Sequence, residues 1–127
     1  MEKVPVISIV DDDPSVREAT KGLIRSLGFA AEAFASAEEF LQSSRASDTS
    51  CLILDVNIPG LSGIALQSVL NARGQQTPII FITAFPEERT RTRALDAGAV
   101  GFLTKPFKEE NLIRHLNIAL NRPSDAT

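Results

Sequence analysis

Cys51-Leu52-Ile53-Leu54-Asp55 is an unbroken apolar run that ends on a carboxylate. Three other runs end in the same manner. Val6-Ile7-Ser8-Ile9-Val10 leads into Asp11-Asp12-Asp13, Ile79-Ile80-Phe81-Ile82 into Thr83, and Ala99-Val100-Gly101-Phe102-Leu103 into Thr104-Lys105. Strict alternation would indicate strands with one wet face, whereas near-continuous apolar character indicates strands covered on both faces. Phe29-Ala30-Ala31-Glu32-Ala33-Phe34 is less apolar and carries an acid, and reads as an edge strand. If the four runs are neighbouring parallel strands, acids, a hydroxyl and an ammonium converge at their carboxyl ends. That edge is where open α/β sheets bind ligands.

Helical patterns lie between the runs. Asp13-Pro14 supplies an N-cap acid and a first-turn proline. Val16, Ala19, Leu23, Ile24 and Leu27 follow at helical spacing, and Gly28 closes the segment. Ser36 and Glu39 have the spacing of a capping box, with Phe40 and Leu41 as apolar contacts. Residues 43–50 form a polar connection. Ile64, Ala65, Leu66, Val69 and Leu70 mark a third helix after Pro59-Gly60-Leu61-Ser62-Gly63. Pro86-Glu87-Glu88 opens a fourth, ended by Gly98, and Pro106 with Glu109-Glu110 opens a fifth. Leu112, Ile113, Leu116, Ala119 and Leu120 form the apolar stripe of that last helix. Five strands alternating with five helices specify an α/β doubly wound parallel sheet.

A chain of 127 residues with 43% apolar content suits one domain with an ordinary core. The formal charge of −3 argues against nucleic-acid binding by this segment, because a phosphate backbone requires a basic footprint. One cysteine, Cys51, cannot form an internal disulfide, and its place in an apolar run reads as a buried, inert thiol. No stretch is long enough to span a membrane, and residues 1–5 lack a signal peptide's apolar region. The expected location is the cytoplasm, without membrane attachment.

Three adjacent aspartates repel one another unless a cation sits among them. Hard oxygen ligands suit Mg²⁺. Asp13 reads as the helix cap, which leaves Asp11 and Asp12 for the metal, joined by Asp55 from another strand. A carboxylate beside a divalent cation can attack phosphorus and form an acyl phosphate. Asp55 alone would read as a turn-initiating residue bonded to its own backbone; the company of the other strand ends favours the nucleophile. Thr83 can donate a hydroxyl hydrogen bond to a phosphoryl oxygen, although β-branched residues are common in strands. Lys105 offers a point charge for phosphate, against the ordinary role of a surface lysine.

The constellation Asp11-Asp12, Asp55, Thr83-Ala84 and Lys105-Pro106-Phe107 resembles the receiver domain of bacterial two-component response regulators. The likeness spans about residues 4–121 and leaves 122–127 as a tail or the start of a linker. It implies the flavodoxin-like (βα)5 fold with strand order 2-1-3-4-5. It implies that Asp55 accepts a phosphoryl group from a histidine kinase or a phosphotransfer protein, that the domain is a signalling module rather than an enzyme, and that its acyl phosphate hydrolyses slowly. Mg²⁺ or Mn²⁺ would be held by Asp12, Asp55 and the carbonyl of Asn57, with Asp11 acting through water. Lys105 and Thr83, with the amides of Val56 and Ala84, would hold the phosphoryl oxygens, and the Lys105-Pro106 bond would be cis. In the switch, Thr83 would move toward the phosphoryl group and Phe102 would turn inward. Asn57 and Phe85 occupy positions that tune hydrolysis in the family.

The output is read less directly. The fourth helix has few large apolar anchors and is the expected moving part. Arg89 and Arg93 share a helical face, either as part of an output surface or as solvated partners of Glu87 and Glu88. The 86–121 face is the expected surface for homodimerisation on phosphorylation. Receivers of this pattern often precede a helix-turn-helix domain, which would place a DNA-binding output outside this segment; a stand-alone phosphorelay carrier is the other arrangement. His115 reads as an ordinary boundary residue. Two further readings remain at this stage. One is a haloacid dehalogenase-like phosphatase with Asp11 as nucleophile, which would leave Asp55 unexplained and lacks a further acidic metal ligand. The other is a receiver-like binding module that takes no phosphate. No Gly-x-Gly-x-x-Gly follows the first strand, which disfavours a dinucleotide site.

Overall fold

A computed structural model describes residues 4–44 and 46–121, so the tail expected at 122–127 lies outside the described residues. In chain order the elements are β1 (Val6–Val10), α1 (Pro14–Ser26), β2 (Ala30–Phe34), α2 (Ala37–Gln42), β3 (Cys51–Asp55), α3 (Gly63–Ala72), β4 (Ile79–Thr83), α4 (Glu88–Asp96), β5 (Gly101–Thr104) and α5 (Glu109–Leu120). The strands form one parallel sheet of order β2-β1-β3-β4-β5. The doubly wound reading and the implied strand order both hold.

The period of two along each strand divides the core into two layers. Ile7, Ile9, Ile53, Ile80 and Ile82 face Ile24 of α1 and Leu112 and Leu116 of α5. Val10, Leu52, Leu54 and Phe81 face Phe40 of α2, Leu66 and Leu70 of α3, and Ala94 of α4. Every residue of β3 and β4 is buried, as their continuous apolar character predicts. β2 lies at the edge and is only half-buried along most of its length.

Helix ends follow local chemistry. Asp13 caps α1 by accepting from the Ser15 amide at 2.9 Å. Ser36 accepts from Glu39 N–H at 3.1 Å, while Glu39 Oε1 accepts from Ala35 N–H at 3.1 Å, one residue earlier than a reciprocal box predicts. Two strands begin later than expected for one shared reason. Phe29 N–H donates to Ile24 O at 3.3 Å and Gly28 N–H to Arg25 O at 3.0 Å, so Phe29 completes the end of α1 before β2 can start. Ala99 N–H donates to Ala94 O and Gly98 N–H to Leu95 O, each at 3.0 Å, which delays β5 in the same way. Both motifs turn on a glycine with positive φ, 94° at Gly28 and 108° at Gly98. The polar 43–50 connection also holds a buried residue: Thr49 Oγ1 lies 2.6 Å from Ser8 Oγ and partners a hydroxyl that β1 carries into the core.

α4 is held differently from its neighbours. Ala94 is its single buried residue among those described. Two amides of α3 grip its end: Gln67 Nε2 donates to Ala94 O at 3.0 Å and Asn71 Nδ2 to Ala97 O at 3.1 Å. Arg91, rather than Arg89 or Arg93, pairs with Glu88, at 3.6 Å. Arg89 and Arg93 instead line the shallow groove between α4 and the start of α3. On α5, His115 Nδ1 lies 2.8 Å from the Asn111 carbonyl oxygen and its ring covers Gly101.

Gly63 begins α3 directly against the backbone of Asp55 and Val56, where an added Cβ would collide with the Asp55 carbonyl oxygen. Backbone cannot yield as a flexible side chain can. Gly63→Ala is therefore expected to destabilise the protein by about 1–3 kcal/mol, read by urea denaturation; an unchanged midpoint would contradict the close packing of α3 on the end of β3.

Candidate functional site

The order of the strands reverses direction between β1 and β3, and the carboxyl ends of these two strands form the crevice where open α/β sheets take ligands. Asp11 and Asp12 follow β1, Asp55 ends β3, Thr83 ends β4, and Lys105 follows β5. The sheet thus delivers each expected group to the same edge.

Asp11 is fully buried and Asp55 is 4% exposed. One oxygen atom from each of Asp11, Asp12 and Asp55 can be chosen so that all lie within 4.8 Å of one another. Lys105 reaches across from β5: its Nζ donates to Asp55 Oδ2 at 2.9 Å and lies 2.9 Å from Asp11 Oδ2. Asp11 Oδ2 is buried, and the Lys105 ammonium is the charge that faces it. The other oxygens are fixed by local backbone. Asp13 N–H donates to Asp11 Oδ1 and Asn57 N–H donates to Asp55 Oδ1, both at 2.9 Å.

Electrostatics follow from this geometry. Burial pushes the Asp11 carboxyl above its ordinary value, with the nearby Asp55 charge adding to the effect and the Asp13 amide and Lys105 opposing it. Burial disfavours the Lys105 ammonium, but the carboxylates of Asp55 and Asp11 outweigh it and raise the group above its usual value. Cys51 stays out of the chemistry: burial pushes its thiol up to about 12.

The donor set fits a small hard cation. It is all carboxylate oxygen, its two buried acids share a single lysine, and exposed Asp12 leaves an open side for waters. Asp11, Asp12 and Asp55 would hold such an ion.

Thr83 is fully buried. Its Oγ1 accepts from Asn57 Nδ2 at 2.9 Å and from Phe85 N–H at 3.0 Å. Phe102 is half-buried, its ring centroid 6.2 Å from that of Phe81. The Lys105-Pro106 bond is cis. One expectation needs correction. The Val56 amide, expected at the phosphoryl oxygens, is engaged in the sheet and donates to Ile82 O at 2.9 Å. The amide that meets the Asp55 carboxylate is that of Asn57. Ala84 is exposed beside Thr83.

Two supporting residues escaped the sequence reading, and a third, Asn57, makes a contact that it did not anticipate. Arg17 Nη1 donates to the Asp11 carbonyl oxygen at 2.7 Å, tying α1 to the β1 end. Glu38 of α2 accepts from Leu61 N–H at 2.9 Å and steadies the loop after β3, and this amide holds its carboxyl below the ordinary range. The side chain of Asn57 turns to Thr83 instead of to solvent. Neither Arg17 nor Glu38 has a local pattern to reveal it; Asn57 was expected as a metal-ligating carbonyl and a hydrolysis-tuning position, not as a partner of Thr83.

A family model described as the response regulator receiver domain matches residues 7–117. The chain belongs to this family. It is the receiver domain of a two-component response regulator, and the match supports that reading and not the phosphatase. Response regulator protein TodT of Pseudomonas putida is 44% identical over 119 residues, which cover 94% of this chain and 52% of TodT. Transcriptional regulatory protein FixJ of Azorhizobium caulinodans is 36% identical over 124 residues, covering 98% of this chain and 58% of that protein. The receiver therefore spans about half the length of these relatives. Among solved structures, the response regulator StyR superposes with a TM-score of 0.86 at 44% identity, covering 93% of this chain and 60% of StyR. The FixJ-N crystal structure gives 0.83 at 31% identity, over 97% of this chain and 98% of that one.

Three carboxylates in one crevice are expected to make the receiver sensitive to divalent cations. Mg²⁺ is expected to raise the melting temperature by mass action, equivalent to about 2.7 kcal/mol at a hundredfold excess over Kd. Because a proton competes for Asp11 and its pKa lies above the ordinary 3.8, the Mg²⁺-induced shift should shrink as pH falls through that raised value. Scanning calorimetry with and without Mg²⁺ at several pH values reads this; an identical melting temperature with and without Mg²⁺ at neutral pH would contradict the site.

Proposed function

We propose that Asp55 is the phosphoacceptor and that the receiver, running from residue 4 to 121, relays the phosphoryl group's presence to an output partner. A carboxylate oxygen of Asp55 attacks the phosphorus of a histidine kinase or phosphotransfer phosphohistidine. A P–O bond forms, the P–N bond breaks, and the imidazole leaves with the electron pair of that bond. Bound Mg²⁺ would supply positive charge between the carboxylate and phosphoryl oxygens. Lys105 already lies against Asp55 Oδ2 and supplies a second positive charge. The observation that carries this reading is the pair of buried carboxylates, Asp11 and Asp55, facing one and the same ammonium.

Thr83, Asn57 and Ala84 lie beside the acceptor and would receive the phosphoryl oxygens through hydroxyl and amide donors. The switch would act on Thr83 and half-buried Phe102, and through them on α4, which has little apolar anchorage to resist displacement. The face made by residues 86–121 would then bind an output partner or a second copy. FixJ is named a transcriptional regulatory protein, which supports a DNA-binding output in a further segment, with 122–127 as tail or linker. The cytoplasm is the fitting location for such a partner of a kinase; among the described residues no helix is long and apolar enough to cross a membrane.

Incubation with acetyl phosphate is expected to add the mass of one phosphoryl group to the native chain only when Mg²⁺ is present, and to add none to Asp55→Asn. A native chain that stays unmodified would sink the proposal. Phe85 is 74% exposed beside Thr83 and carries no group able to orient water. The native acyl phosphate should therefore outlive that of Phe85→Gln in a phosphate-release assay, and an equal or longer lifetime in the variant would count against this role.

A further inference from the structure

Asn57 joins the two ends of the candidate chemistry. Its backbone N–H donates to Asp55 Oδ1 at 2.9 Å, and its side-chain Nδ2 donates to Thr83 Oγ1 at 2.9 Å, across 26 residues of sequence. Thr83 Oγ1 also accepts from Phe85 N–H at 3.0 Å. A hydroxyl has two acceptor lone pairs and one proton to give. Both acceptor positions of Thr83 are thus filled, and among the described residues its hydroxyl makes no bond to Asp55 or Lys105.

We propose that the Asn57 side chain is a positioning residue that holds the buried Thr83 hydroxyl in one rotamer and so sets how readily this threonine can serve a phosphoryl group on Asp55. The idea rests on the phosphoacceptor reading above. The Thr83 hydroxyl proton remains free to donate, but turning Thr83 so that the hydroxyl meets a phosphoryl oxygen on Asp55 would take Oγ1 out of the geometry that Asn57 and Phe85 impose. The Phe85 donor is backbone and is present whatever the side chain. The Asn57 donor is a side chain from an exposed turn and is the adjustable half of the pair. Because the backbone N–H of the same residue already bonds the acceptor carboxylate, the turn that presents Asp55 is the turn that restrains Thr83. A net hydrogen bond of this kind changes an equilibrium by about two- to tenfold.

Two measurements test it. The first needs no phosphate. In the unphosphorylated chain, the ¹³C shift and couplings of the Thr83 Cγ2 methyl report its χ1 rotamer. Asn57→Ala should move them toward rotamer averaging, and values unchanged from the native chain would overturn the proposal. The second is a double-mutant cycle on the single-turnover rate with acetyl phosphate and Mg²⁺. Asn57→Ala should speed modification about two- to tenfold when Thr83 is present, and should change nothing in a Thr83→Val background, which has no hydroxyl to restrain. An equal factor in both backgrounds, or a slower rate with Thr83 present, would overturn it. If the native chain takes no phosphoryl group, the phosphoacceptor reading fails and the methyl spectra alone decide whether Asn57 restrains Thr83.

Discussion

Lys105 lies against two carboxylates that would otherwise repel each other, and the carboxyl edge of the sheet depends on that contact. Two unit charges about 5 Å apart repel by about 3 kcal/mol at the effective dielectric of a protein. Asp11 and Asp55 are both buried, so neither can turn away into water. The Lys105 ammonium, 2.9 Å from an oxygen of each, offsets the repulsion and joins the ends of β1, β3 and β5. Removing one partner of such a buried pair typically costs about 3–5 kcal/mol, because the remaining charge is stranded. The compensation is incomplete: one ammonium stands against two buried carboxylates. A cation and a phosphoryl group together would complete what the lysine begins, so the unsatisfied state is the sensitive one.

The same logic extends to the switch. Elements that carry the acids are buried on both faces and rigid, as β3 is throughout. The element expected to move, α4, is gripped through two α3 amides on its terminal carbonyls and a single buried alanine. Between the rigid acids and the weakly anchored helix stands Thr83, which ends a fully buried strand and whose hydroxyl is tied to the acceptor turn through Asn57. A phosphoryl group on Asp55, as proposed, would therefore have a short path to the part of the fold that is cheapest to displace.

The strand cores and the site acids were legible in the sequence because each is a local pattern: an apolar run followed by a charged or hydroxyl residue. Asp13 as a cap was legible for the same reason. The starts of β2 and β5 were not, because Phe29 and Ala99 are apolar enough to join a strand, yet their amides are consumed in closing the preceding helices. The sequence did not show that the Val56 amide is used by the sheet, since it is still paired with β4, and that only Asn57 has left the sheet to meet the Asp55 carboxylate. Arg17, Glu38, Gln67 and Thr49 were invisible to pattern reading because each acts through a single contact with a residue that only the fold brings near.

The central claim is that one carboxylate among three takes the phosphoryl group. Reduction of the acetyl phosphate-treated chain with borohydride, followed by peptide mapping, converts an aspartyl phosphate to homoserine at the modified position. The account predicts homoserine at position 55 and intact aspartate at 11 and 12. Homoserine at position 11 would contradict it and restore the phosphatase-like nucleophile.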